Sequence, residues 1–284
     1  MRIWFCIFIL LNSLSLKSED LPLWELGIGV GQLYVPDYPG SDEFTNFLLP
    51  FPYFIYRGPW LKADRDDGIR SLLFRTDKAR VSFSFKGSFP IDSEDNETRR
   101  GMEDLSFIFE LGPVWQYRFI QKEEERLRLN VPLRLVTSTN GQHTQERGLV
   151  WSPNLSGSKN FSCSIDCQYE WSVGFSGASK KLHNYFYEVG PEDVLPTRSL
   201  YGAKAGTISW YLQYRLRFEY GKHFLGGSIT YSNYEQNANT QSPLFKRTDS
   251  YSIGIVWFTT FWESETKEST DSSLVEEINS PLKN

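Results

Sequence analysis

Histidine is scarce in this chain, with three in 284 residues, at positions 143, 183 and 223. That leaves little material for general acid-base chemistry. No apolar run approaches the roughly 18 residues that a membrane-spanning helix requires, so helical spans are excluded. Thirty Lys and Arg face 35 Asp and Glu, for a formal charge of -5. The balance offers no basic footprint, and no nucleic-acid partner is expected. Cysteine is limited to Cys6, Cys163 and Cys167. Two thiols in Cys163-Ser-Ile-Asp-Cys167 have no further ligands nearby to complete a metal site. No Gly-x-Ser-x-Gly, His-Glu-x-x-His or phosphate-loop pattern occurs. Gly27, Gly29 and Gly31 imitate a phosphate loop, but no helix follows them. An enzyme is not expected, nor is a cofactor, and each histidine reads as a surface or lumen-rim residue.

What the chain does have is alternation. From Thr207 to Tyr220, Ile208, Trp210, Leu212, Tyr214, Leu216, Phe218 and Tyr220 fall on one face, with Ser209, Gln213, Arg215, Arg217 and Glu219 on the other. A period of two sustained this long specifies a β-strand about twice the usual globular length. Similar segments lie near 24–34, 47–57, 58–64, 69–75, 79–89, 104–119, 126–136, 147–161, 168–178, 206–220, 222–233 and 249–261. Strands that alternate apolar-out and polar-in, with aromatics at both water boundaries, are those of a transmembrane barrel. The fold expected is all-β: an antiparallel up-and-down transmembrane barrel of twelve strands, or ten if the weak third and fourth fail to form.

The connections agree, because they alternate in length, with the one at 65–68 alone short where a long one is expected. Short ones fall at 57–58, 76–78, 121–125, 162–167 and 221; long polar ones fall near 35–46, 90–103, 137–146, 179–205 and 234–248. Short periplasmic turns and long outer loops are the habit of bacterial outer-membrane barrels. Met1-Arg2, an apolar stretch from Ile3 to Leu11 and small residues after it form a Sec-type signal peptide, taken as residues 1–18. Its removal would take Cys6 with it. The barrel is expected over 19–261, followed by an acidic, flexible periplasmic tail over 262–284. Localisation is then the outer membrane, with its lipid as the immediate partner.

Inward-facing charges form the first candidate site: Glu110, Arg126, Arg128, Arg134, Arg215, Arg217 and Glu219, with Lys86, Arg118 and Glu170 beside them. Enclosed charges need partners. They form either a network that rigidifies and partly closes the barrel or the lining of a narrow, anion-preferring channel. Cys163 and Cys167 are expected to form a small disulfide in an oxidising compartment. The Gly27, Gly29 and Gly31 set leaves room for bulky lumen residues or an inward loop.

Leu26-Gly-Ile-Gly-Val-Gly31, then Val35-Pro-Asp-Tyr-Pro-Gly-Ser-Asp42, then Leu49-Pro-Phe-Pro-Tyr53 resembles the opening of the MltA-interacting protein / OmpV family of outer-membrane proteins. Pro36, Tyr38, Gly40, Ser41 and Asp42 carry the loop motif. Trp151-Ser-Pro-Asn-Leu155 and Tyr185-Phe-Tyr-Glu-Val189 resemble later family blocks, although Glu188 stands where the family usually has Gly. The last strand also departs from the pattern, since a tail follows it. The resemblance implies a non-catalytic scaffold that brings a lytic murein transglycosylase together with a murein synthase at the cell envelope. Some members look like adhesins or surface antigens, which adds that alternative to the channel. Asp37, Asp42 and Glu43 also offer carboxylates for calcium, without the spacing of a known site.

Overall fold

Alternation this regular should bend into a closed wall, and it does. The computed structural model describes residues 21–58, 61–64, 68–122, 124–162 and 165–266. The expected signal peptide, most of the expected tail and Cys163 lie outside the described residues. The strands are β1 (Trp24–Pro36), β2 (Phe44–Arg57), β3 (Leu61–Asp64), β4 (Gly68–Arg75), β5 (Ala79–Ser88), β6 (Phe107–Gln121) and β7 (Glu125–Thr139). They continue as β8 (Thr144–Trp151), β9 (Asn154–Ser162), β10 (Asp166–Ala178), β11 (Gly206–Tyr220), β12 (His223–Asn233) and β13 (Asp249–Glu263), with one helix, α1 (Lys180–Tyr187).

Apart from β8 and β9, each strand pairs antiparallel with its sequence neighbour, and β13 returns to pair with β1 from Glu25↔Glu263 to Tyr34↔Ile253. Closure leaves no free seam there, as lipid requires. β8 and β9 share one position: β8 pairs with the upper part of β7, and β9 pairs with the lower part and with β10. The wall therefore has twelve positions, as the alternation predicts. The break falls at Ser152-Pro153, opposite Pro132 of β7, where the missing amide donors would interrupt any ladder.

The apolar face turns outward. Tyr214, Leu216 and Tyr220 are 51%, 47% and 69% exposed, which in water would be a liability and in a bilayer is the lipid contact. Aromatics mark both borders: Tyr34, Trp210 and Tyr251 toward the long-loop end, Phe119, Tyr220 and Trp262 toward the short-turn end. Between them lie Ile28, Val131, Leu133 and Ile255, all exposed.

Three expectations need correction. The connection at 137–146 is a tight turn over 140–143, because Thr137 to Thr139 and Thr144 to Arg147 extend the strands. Their polarity reads as loop only if a strand is assumed to stop where the lipid does. Ile208 does not face lipid, since the β10–β11 register skips it between Ser176↔Ser209 and Gly177↔Thr207 and it packs inside with Ile108 and Val136. A bulge turns the extra residue away from its alternating face. The third is His183, only 1% exposed and far from a surface residue. At the C-terminal end, pairing continues past residue 261: the Ser264 N–H donates to the Trp24 carbonyl at 3.0 Å.

Candidate functional site: the charged lumen beneath a folded cap

The lumen begins at the short-turn end with a clamp. Arg57 donates to Glu25 Oε1 at 2.6 Å and to the Pro22 carbonyl at 2.8 Å, while Thr260 Oγ1 donates to Glu25 Oε2 at 3.2 Å. One buried carboxylate thereby ties β1 to both its neighbours. Further along β1, Gly29 allows close packing of its own: a Cβ there would stand 2.8 Å from Phe258 Cβ and from the Phe51 ring. Of the three inward glycines, Gly29 makes room for bulky lumen residues beside the packed Tyr53, Ile55, Phe224 and Phe258, whereas a Cβ on Gly27 would collide with the Thr259 carbonyl and one on Gly31 would make only ordinary contacts.

The expected lumen charges separate into two groups. Arg126, Arg217 and Glu219 border a cavity of about 270 Å³ near the short turns, together with Cys167. Arg128, Arg134 and Arg215 border a larger one, about 500 Å³, at mid-barrel. Glu110 reaches Arg134 at 3.5 Å, and Arg134 Nε also donates to Ser84 Oγ at 2.8 Å. Glu170 holds Arg215 at 3.2 Å, and Arg215 Nε donates to Gln213 Oε1 at 3.1 Å. Around these runs an amide chain: Gln116 donates to Asn130 Oδ1 at 2.6 Å, and Asn130 to Asn154 Oδ1 at 2.8 Å. Arg80, bonded to Gln116, completes the larger cavity. The sequence reading missed Arg80, although it shares the inward parity of Ser82, Ser84 and Lys86.

Above the lumen the long connections form a cap with a core of its own. Tyr38, Ile91, Leu105, Tyr187, Val189 and Leu244, from four different connections, pack together in it. A second cluster sets Leu182 and Tyr234 of the cap on Ile108, Val136, Val150 and Ile208 at the upper ends of the strands. The cap is thus seated on the barrel.

Its buried hydrogen bonds run mostly between cap residues, as burial demands, with Asn184 Oδ1 of α1 left without a partner among the described residues. Tyr187 OH donates to the Pro39 carbonyl at 2.8 Å and accepts from Asn237 Nδ2 at 2.9 Å. Asn239 donates to His183 Nδ1 at 2.8 Å and to the Lys204 carbonyl at 3.0 Å, and its Oδ1 accepts from the Lys204 N–H at 2.7 Å. With Nδ1 accepting, His183 Nε2 carries the proton and donates to the Gly206 carbonyl at 3.1 Å. Burial holds this imidazole below its ordinary pKa, opposed by the Gly206 bond. Burial likewise pushes the Tyr38 and Tyr187 phenols well above theirs.

The motif loop lies inside this cap. Pro36 ends β1, and Tyr38 OH donates to the Leu244 carbonyl at 2.7 Å. Gly40 has φ +86°, which an L side chain rarely adopts, and a Cβ there would meet the Phe245 ring at 2.6 Å. Ser41 is fully buried and its Oγ accepts from the Glu43 N–H at 3.1 Å; Asp42 is exposed. Two of the three carboxylates considered for calcium act as staples: Asp37 accepts from Thr45 Oγ1 and from Asn96 Nδ2, each at 2.7 Å, and Glu43 from the Glu97 N–H at 2.7 Å. No set of three metal-ligating side chains is gathered among the described residues. Glu188 ends α1 with φ -70°, a conformation that needs no glycine. Cys163 lies outside the described residues, and with it the expected bridge to Cys167.

Comparison with known proteins gives one specific result and several remote ones. A bacterial polysaccharide outer membrane secretin is 10% identical over 86% of this chain and 99% of its own, with a TM-score of 0.41. The Ralstonia pickettii toluene transporter TbuX is 9% identical over 84% and 89%, with a TM-score of 0.29. The outer-membrane expressed OmpT of Vibrio cholerae is 8% identical over 87% and 99%, with a TM-score of 0.26. Likeness at this level says nothing of cargo or partner. No curated protein sequence matches this chain. The sequence profile of the MltA-interacting protein MipA family, by contrast, matches residues 28–261, which is all of the cap and the wall but the first residues of β1 and the last of β13. The chain belongs to the MltA-interacting protein MipA family and is an outer-membrane β-barrel.

Proposed function

We propose that this barrel is a non-catalytic scaffold that holds a murein-cleaving transglycosylase, and with it a murein synthase, at the outer membrane. Residues 1–18 serve as the export signal, the chain from 19 to the end of β13 at Glu263 as the barrel, and the residues after it as a periplasmic tail that shares in docking. Membership of a family named for a protein–protein contact carries this reading. The asymmetry of the barrel supports it: long connections are consumed in a sealed cap, while Lys122, Glu124 and Glu125 at the opposite rim are exposed. Crosslinkers placed at the 121–125 turn and in the tail should capture a murein hydrolase or synthase in cells. A correctly inserted barrel that captures neither would refute it.

A narrow anion-preferring channel is the second reading, favoured by the arginines around the mid-lumen cavity. Planar-bilayer recording separates the two: a scaffold stays silent while its cap is intact.

A further inference from the structure

One part of the cap points away from its core. From the Val189↔Tyr201 bridge, residues 190–200 run out as an arm and turn back through a second bridge, Leu195↔Arg198. The Leu195 N–H donates to the Arg198 carbonyl at 2.9 Å and the Arg198 N–H to the Leu195 carbonyl at 3.0 Å, with Pro196-Thr197 at the corner. Arg198 is buried and commits its guanidinium to backbone: Nε donates to the Asp193 carbonyl at 2.8 Å, and Nη1 to the Thr98 and Arg100 carbonyls at 3.0 and 3.1 Å. The arm is therefore fastened to the 92–104 connection.

Its tip is apolar. Val194, Leu195 and Leu200 are 45%, 47% and 65% exposed. Among the described residues every other large hydrophobic side chain so exposed, Leu21 aside, belongs to a wall strand, where lipid accounts for it. These three lie instead on the end that outer-membrane barrels turn away from the periplasm. An apolar cluster held at the surface by a buried anchor marks an interaction site.

The surroundings say for what. Glu94, Asp95, Glu97 and Glu103 are exposed on 92–104, and Glu188 and Glu192 on 188–200, whereas the cations of these two segments are the buried Arg99 and Arg198 and the exposed Arg100. Lipid is a poor occupant, because Glu192, two residues from Val194, would have to leave water with it. A second copy is a poor one too, since a two-fold contact sets like charge against like. What fits is apolar surface carried beside positive charge. Three side chains also fall short of the roughly 800 Å² per partner of a standard protein interface, so the occupant is a short segment.

We infer that the arm tip is a docking site for a soluble cationic amphipathic peptide, which lays its apolar face on Val194, Leu195 and Leu200 and its Lys or Arg side chains against the carboxylates around them. Because Arg198 already orders the arm, docking freezes little of the barrel. Attraction between exposed charges is screened by salt, so binding is tightest at low ionic strength. This goes beyond the scaffold reading and does not depend on it.

The test uses full-length barrel in phosphatidylcholine nanodiscs and a fluorescent Leu-Lys peptide patterned as an amphipathic helix, with binding read by anisotropy. The peptide should bind barrel-containing discs at least about tenfold more tightly than empty ones. Leu195→Ser with Leu200→Ser should weaken it about tenfold, the scale of losing two partly buried apolar side chains. Glu94→Lys with Glu192→Lys should weaken it by a similar factor and flatten its salt dependence. Glu235→Lys, in another connection of the cap, should change it less than about twofold. Heat-modifiable migration confirms that each variant is folded. Equal binding to empty discs, equal binding by a peptide with Glu in place of every Lys, or indifference to the Leu and Glu variants would overturn the site. So would photocrosslinking from position 200 to a lipid acyl chain or to a second copy of the chain, which would make lipid or self-contact the cover.

Discussion

The two ends of this barrel are made by the same strands and have opposite characters. At the long-loop end, 37–43, 89–106, 179–205 and 234–248 meet in a core where Tyr187, Leu244, Asn96 and Asn239 are fully buried. At the other end the turns are short, and order there rests on the Glu25 clamp. The difference separates two jobs. Non-repeating sequence goes into closing one mouth, and the opposite rim is left as a plain surface that a partner can approach.

That contrast can be broken from the cap side first. Tyr187→Ala removes the aromatic at the junction of the loops together with two buried hydrogen bonds, so cap opening should become easier by about 3–5 kcal/mol. Limited proteolysis should then cut within 179–205 while the wall keeps its heat-modifiable migration. Loss of the wall as well would mean that cap and barrel are one cooperative unit. From the other end, Glu25→Ala leaves Arg57 buried without its carboxylate and should cost about 3 kcal/mol. Here the readout is the temperature at which the folded gel species disappears, with cap proteolysis unchanged.

Smaller changes sharpen the comparison. Asn239→Ala strands His183 Nδ1 and the Lys204 amide, an expected loss of about 2 kcal/mol confined to the cap. Hydrogen exchange over 183–208 would detect it. pH should act at the same place. Because the folded imidazole of His183 titrates below its ordinary value, the unfolded cap binds more protons as pH falls below about 6.5. Cap stability is full above that pH and declines below it. Protection factors of these amides, corrected for the intrinsic pH dependence of exchange, should fall at pH 5.5 relative to pH 7.5, and His183→Gln should remove the difference.

The contrast also explains what could be read from the sequence. The wall was legible because each strand repeats one instruction, apolar out and polar in, often enough to identify it; all twelve positions followed. Exceptions fell where another rule intervened, as in the bulge at Ile208 or in polar strands that outlast the lipid at Thr137 to Thr139. The cap was illegible because its core has no period. Tyr38, Tyr187 and Leu244 are separated by up to 206 positions and meet only in three dimensions. Lumen charges were legible as a face but not as pairs, since parity places Arg134 and Arg215 inward without choosing Glu110 or Glu170 as the partner.

The most direct test is in-cell crosslinking from Lys122 and Glu124 in the exposed turn and from the tail, with captured proteins identified by mass spectrometry. Recovery of a murein transglycosylase or synthase from these positions, and not from matched positions on the cap, is the predicted result. Capture of neither enzyme by an inserted barrel, or equal capture from the cap, would contradict the division of labour between the two ends.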